Sequence, residues 1–135
     1  MKKKIFLILS YLFFFFNSNL QSNEDTKVLK IGLLAPLSGE YRELGNSLLY
    51  SLQLALEEIG DDRVIIVPRD SGFNDKEKLN IAIGEIVKQG AKIIIGPISN
   101  EEFEQVKKYS SLTFISPSNI NPEFKDNIIS IGVSL

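Results

Sequence analysis

The chain has 135 residues, with 15 basic against 17 acidic side chains and neither cysteine nor histidine. That composition closes disulfide frameworks, a lipid-bearing cysteine, His or Cys metal sites and any nucleophile paired with histidine. No cofactor or metal is expected, and the chain is not read as an enzyme. The mild acidic excess also argues against nucleic acid as a partner.

At the N-terminus Lys2, Lys3 and Lys4 precede an apolar run from Ile5 to Phe16, broken only by Ser10. A bilayer-spanning helix needs about 20 apolar residues, whereas the apolar part of a signal peptide needs roughly 7 to 15 after a basic start. Residues 1–22 therefore read as an export signal cut near Ser22, and residues 23–27 as a linker. Leu20 is larger than the small residue usual two positions before a cut, which keeps an uncleaved inner-membrane tether as the alternative. Four consecutive phenylalanines, Phe13 to Phe16, leave no polar face for a surface helix. Without residues 1–22 the chain keeps 12 basic and 17 acidic residues, a net charge of −5.

From residue 28 onward, β-branched runs alternate with helix-period segments, the pattern of βαβ units. Val28 to Leu34, Val64 to Val67, Lys92 to Ile95, Thr113 to Ile115 and Ile128 to Ile131 are predicted strands. Their nearly unbroken apolar character fits parallel strands covered on both faces. Helices are predicted over Asn46 to Ile59, Asp75 to Gln89 and Asn100 to Ser110. Leu48, Leu52, Leu56 and Ile59 make an apolar stripe on the first, and Leu79, Ala82, Ile83, Ile86 and Val87 on the second. Asn74 with Glu77, and Ser99 with Glu102, fit capping boxes, while Gly60 and Gly90 stand where helices end. The fold class is α/β: a right-handed, doubly wound parallel sheet over residues 28–135, following the signal.

Ligands of such sheets bind at the carboxyl ends of the strands. The exits here are Ala35-Pro36-Leu37-Ser38-Gly39, Pro68-Arg69-Asp70-Ser71-Gly72, Gly96-Pro97-Ile98-Ser99 and Ser116-Pro117-Ser118-Asn119. Hydroxyls and helix-start amides sharing one rim suit a carboxylate or another small polar ligand, and Ser38, Ser99, Ser118 and Asn119 are the candidate ligand-binding residues. A plainer role fits the same residues: Ser99 capping its own helix, Ser71 and Ser118 forming turns, Asp70 binding loop amides. A dinucleotide site would need G-x-G-x-x-G after strand one, where Gly39 and Gly45 are six apart, and no phosphate loop is present. A phospho-acceptor site could use Asp70 but would want acids where Ala35 and Pro36 stand. Asp61 and Asp62 read as a solvated turn.

The segments KIGLLAPLSGEYRELGNSLLYSLQLALEEI, IIIGPIS and FISPSNINPEF resemble the opening lobe of the type I periplasmic binding proteins for leucine and related amino acids. The likeness runs from about Val28 to Leu135. APLSGEYRELGNSLLYSLQLAL, GPIS and SPSN resemble penicillin-binding protein activators at least as well. The resemblance implies a periplasmic location and a small polar ligand such as an amino acid, delivered to an ABC-type permease. It also implies that Ser99 and the loop holding Ser118 and Asn119 contact the ligand's carboxylate and amino group. The position that is commonly threonine in that loop is Ile120, which has no hydroxyl. The family has a second lobe, so a partial N-terminal lobe is expected here. The alternatives are an envelope regulator gripping a cell-wall synthase, and a gene fragment without a function of its own.

Overall fold

The computed structural model describes residues 27–117 and 126–132. Five strands form one sheet: β1 (Leu29–Ala35), β2 (Val64–Asp70), β3 (Ile93–Ile95), β4 (Thr113–Ser116) and β5 (Ile128–Ser130). Three helices connect them: α1 (Arg42–Ile59), α2 (Lys76–Lys88) and α3 (Asn100–Val106). The strand order is β2-β1-β3-β4-β5 and every pairing is parallel. This is a doubly wound order that reverses direction between β1 and β3. Pro68, which lacks the N–H a central strand would need, lies on edge strand β2.

Alternation along the strands separates two faces. Leu34, Val67, Ile94 and Phe114 point to the face where Leu79, Ala82, Ile83 and Ile86 of α2 and Val106 of α3 close the main core. Burying each such side chain contributes about 1.5–3 kcal/mol before chain entropy is charged against it. Leu33 is also fully buried but lies outside that cluster. Its cover comes from the opposite face, where α1 packs on β1 and β2. β1 to β2 and β2 to β3 are steps in opposite directions, which sends α1 and α2 to opposite faces.

Local chemistry sets the helix ends. Asp75 caps α2, its Oδ1 accepting from the amides of Glu77 and Lys78, both at 3.0 Å. At the other end Gly90, at φ 91°, allows the Gly90 amide to reach Val87 O and the Ala91 amide to reach Ile86 O. That is a left-handed termination which residues with a Cβ rarely adopt.

Several expectations are corrected. α1 begins at Arg42, four residues before Asn46, because Gly45 is a helical residue placed against Pro36; a Cβ there would lie 2.1 Å from Pro36 O. Asn74 does not cap α2; it sits at φ 67° and accepts from the Ser99 hydroxyl, leaving the cap to Asp75. β2 runs on to Asp70 rather than stopping at Val67, held by the β1 register Ala35↔Asp70. α3 ends at Val106, after which the Tyr109 amide bonds Val106 O and its hydroxyl reaches Asn80 Oδ1 at 2.7 Å. Leu48, Leu52 and Leu56 are half-buried as their spacing predicts, but Ile59 is exposed because it is the last helical residue before the chain turns at Gly60. Val87 is exposed too, one helical step off the Ile83–Ile86 line.

Candidate functional site

The register Ala35↔Asp70 brings the exits of β1 and β2 to one rim. Asp70 is the hub there. Its Oδ1 accepts from the Leu37 amide at 2.9 Å and the Gly72 amide at 3.1 Å, and its Oδ2 from Ser38 Oγ at 2.5 Å and Lys78 Nζ at 2.8 Å. Lys78 Nζ also donates to Ser38 Oγ at 3.0 Å. Burial pushes the Asp70 carboxyl up, but the bonds from Lys78, Ser38, Gly72 and Leu37 outweigh it and hold the group well below the usual carboxylate range. Lys78 moves the opposite way, raised by its bond and charge contact with Asp70.

A second knot ties the β2 exit to the β3 exit. Ser99 Oγ accepts from the Glu102 amide at 3.1 Å and donates to Asn74 Oδ1. The Glu102 side chain does not complete a capping box; its Oε1 accepts from the Asn74 amide at 3.3 Å, and its buried Oε2 has no hydrogen-bond partner among the described residues. Between the two knots the Tyr41 and Phe73 rings stack, centroids 3.7 Å apart and planes 24° from parallel. Ser71 is fully buried, its Oγ facing the Phe73 amide at 3.4 Å.

Three helices begin at this rim, and they differ in one respect. α2 is capped by Asp75 and α3 by Ser99, whereas α1 starts at Tyr41, whose side chain accepts no amide bond. Unpaired amides at a helix start carry partial positive charge and attract anions. At α1 the backbone takes much of that role: the Arg42 amide bonds Gly39 O at 3.3 Å, and the Leu44 and Gly45 amides bond Tyr41 O at 3.1 and 3.3 Å.

Of the residues picked from sequence, Ser38 and Ser99 both lie on the rim but in different knots, each already bonded to its neighbours. Ser118, Asn119 and Ile120 lie outside the described residues. Asp70 does bind loop amides, as its plainer role required. Lys78, Tyr41 and Phe73 escaped attention because Lys78 lies off the apolar stripe of α2 and the two aromatics are 32 positions apart. Asp61 is not simply solvated: its carboxylate takes Arg63 Nε at 2.8 Å and Nη2 at 2.7 Å, which lowers its pKa to about 2. A hollow of ≈ 450 Å³ adjoins it, lined by Leu56, Glu57, Gly60, Asp61, Asp62 and Val64, at the end of the sheet opposite the rim.

By sequence, neither a protein-family model nor a curated protein matches the chain. Solved structures do match. An ABC transporter substrate-binding protein from Sphaerobacter thermophilus superposes with a TM-score of 0.67 at 20% identity, over 76% of this chain and 31% of that one. The leucine-binding protein LivK from Thermotoga maritima gives 0.66 at 19% identity, over 77% and 32%. Full-length LpoA from Haemophilus influenzae gives 0.62 at 22% identity, over 81% and 20%. The chain thus spans about a third of the length of the first and second of these and a fifth of the third. Together with the all-parallel sheet and its flanking helices, these superpositions show that the chain has the fold of a type I periplasmic-binding-protein lobe.

Proposed function

We propose that the chain supplies one lobe of an exported solute-binding protein, which holds a small carboxylate-bearing ligand such as an amino acid for an ABC-type permease. The observation that carries this reading is the rim at the β1 and β2 exits. There the Ser38 hydroxyl and the Lys78 ammonium meet, a few residues before an 18-residue helix that starts without a side-chain cap. A carboxylate at a helix start gains about 0.3–1 kcal/mol from the helix dipole, more when partly buried, in addition to its hydrogen bonds. The fold neighbours named as substrate-binding and leucine-binding proteins support the same role. A facing lobe supplies the other wall of the cleft, and residues 1–22 direct export to the periplasm.

Cell fractionation with N-terminal sequencing tests the export step, and full-length protein retained in the cytoplasm would refute it. Calorimetry of the exported protein against an amino-acid panel tests binding. Ser38→Ala is expected to weaken affinity about tenfold, the effect of losing one hydrogen-bonding partner. Ser99→Ala is expected to lower thermal stability while leaving affinity nearly unchanged, because that hydroxyl caps α3. Failure of every amino acid to bind, with co-purification of a cell-wall synthase instead, would replace transport with the regulatory role.

A further inference from the structure

We infer that the part of the sheet which α1 leaves open, β3 to β5, is the docking face for one amphipathic helix of the polypeptide that carries the facing lobe. The inference rests on the solute-binding reading only for the source of that helix.

These strands are apolar on both sides but covered on one. On the α2 side Ile94 and Phe114 are fully buried, and Ile128 packs against the same core. Their neighbours along the chain, Ile93, Ile95 and Ile115, turn to the other side and are only half-buried, while Ile129 is 50% exposed. The registers Ile95↔Ile115 and Ile115↔Ile129 set these side chains in a row across the three strands. Among the described residues α1 packs on β1 and β2 and on no other strand. Its cover therefore stops at Leu33, fully buried beside the half-buried Ile95. A parallel sheet needs both faces covered.

The dimensions select what covers it. With strands about 4.8 Å apart and about 3.3 Å per residue, β3 to β5 present a strip about 14 Å wide and about 10 Å long. One helix of about 10–12 Å diameter fits it, in the same layer as α1. A stable dimer buries about 800 Å² on each partner, several times what this strip offers, which disfavours a second copy. A helix joined to the facing lobe needs less area, because the lobe's own contacts raise its effective concentration. The flank of α1 beside the strip is apolar as well: the right-handed β1-α1-β2 crossover turns Leu44, 48% exposed, and the exposed Ala55 towards β3.

Photo-crosslinking in the exporting cell tests this, with Ile129→p-benzoylphenylalanine as the probe and sequencing of the captured peptide. The expected product is one peptide of a different polypeptide, with aliphatic residues at i, i+3 or i+4, and i+7. Adding Ile115→Asp, with the fold intact by circular dichroism, should cut its yield about tenfold. The same probe at Ile81, exposed on α2 on the other side of the sheet, should not capture it. Capture of a second copy of this chain or of lipid, equal capture from Ile81, or no capture at all would overturn the docking face and leave solute binding standing. Co-expression with the captured polypeptide should give amino-acid binding in calorimetry. Docking without such binding would overturn the source of the helix and the solute-binding reading, and leave the face.

Discussion

Asp70, the last residue of β2, and Lys78, in the first turn of α2, are joined by a 2.8 Å ion pair that also engages Ser38. Because Asp70 accepts the Leu37 and Gly72 amides as well, one carboxylate fastens the β1 exit, the β2 exit and the start of α2. Asp70→Ala leaves two amides and an ammonium without their acceptor, and should cost about 2–3 kcal/mol in a urea unfolding experiment. Lys78→Met removes only the exposed partner and should cost less than about 1 kcal/mol.

The same carboxylate gives stability a defined pH dependence. The Asp70 pKa is lower in the folded chain than in the unfolded one, so the unfolded chain binds the proton first as pH falls. Its contribution is complete above the unfolded value of about 3.9 and fades as the pH drops through it towards the folded pKa. The stability gap between wild type and Asp70→Asn should therefore be constant from pH 5 to 7 and narrow below pH 4. Asp61, lowered to about 2 by Arg63, titrates in the same direction, so the comparison is best repeated in an Asp61→Asn background.

Two helical glycines should respond oppositely to alanine. At Gly45 a Cβ would lie 2.1 Å from Pro36 O, and backbone cannot move aside as a side chain can. Gly45→Ala should destabilise by about 3 kcal/mol by pushing α1 off the β1 exit. Gly84, inside α2, has nothing within 4 Å of its added Cβ, and Gly84→Ala should stabilise by up to about 1 kcal/mol through helix propensity alone. Thermal melts of the two variants check both signs.

Glu102 is fully buried with an unpartnered Oε2, and Gln105, one turn further on the same helix, has a buried Oε1 also unpartnered among the described residues. Glu102→Gln keeps an acceptor for the Asn74 amide and replaces the buried, unpartnered Oε2 with an amide nitrogen. The variant should gain about 1 kcal/mol in chemical denaturation, whereas Glu102→Ala should lose stability by breaking the Asn74 contact.

What the sequence determined by itself is the kind of sheet and which strand exits share one end of it. Runs such as Ile93-Ile94-Ile95 are apolar on both sides, and Leu79, Ala82, Ile83 and Ile86 recur at helical spacing, so parallel strands under helices follow from solvent exclusion alone. Short-range chemistry was also legible: Ser99 caps α3 through an amide three residues away, and Gly90 ends α2. Tertiary structure decided which exit residues meet. The pairing Ala35↔Asp70 brings Ser38 to Asp70 across 32 positions, and a one-residue slip would turn Asp70 to the other face. The start of α1 was hidden for a related reason, since Gly45 weakens a helix by propensity and is accepted only because Pro36 approaches too closely for any side chain. Ser38, Asp70, Lys78, Tyr41 and Phe73 have no spacing in common; only the register of β1 and β2 puts them on one rim, because register depends on the summed burial of both strands rather than on any local run of residues.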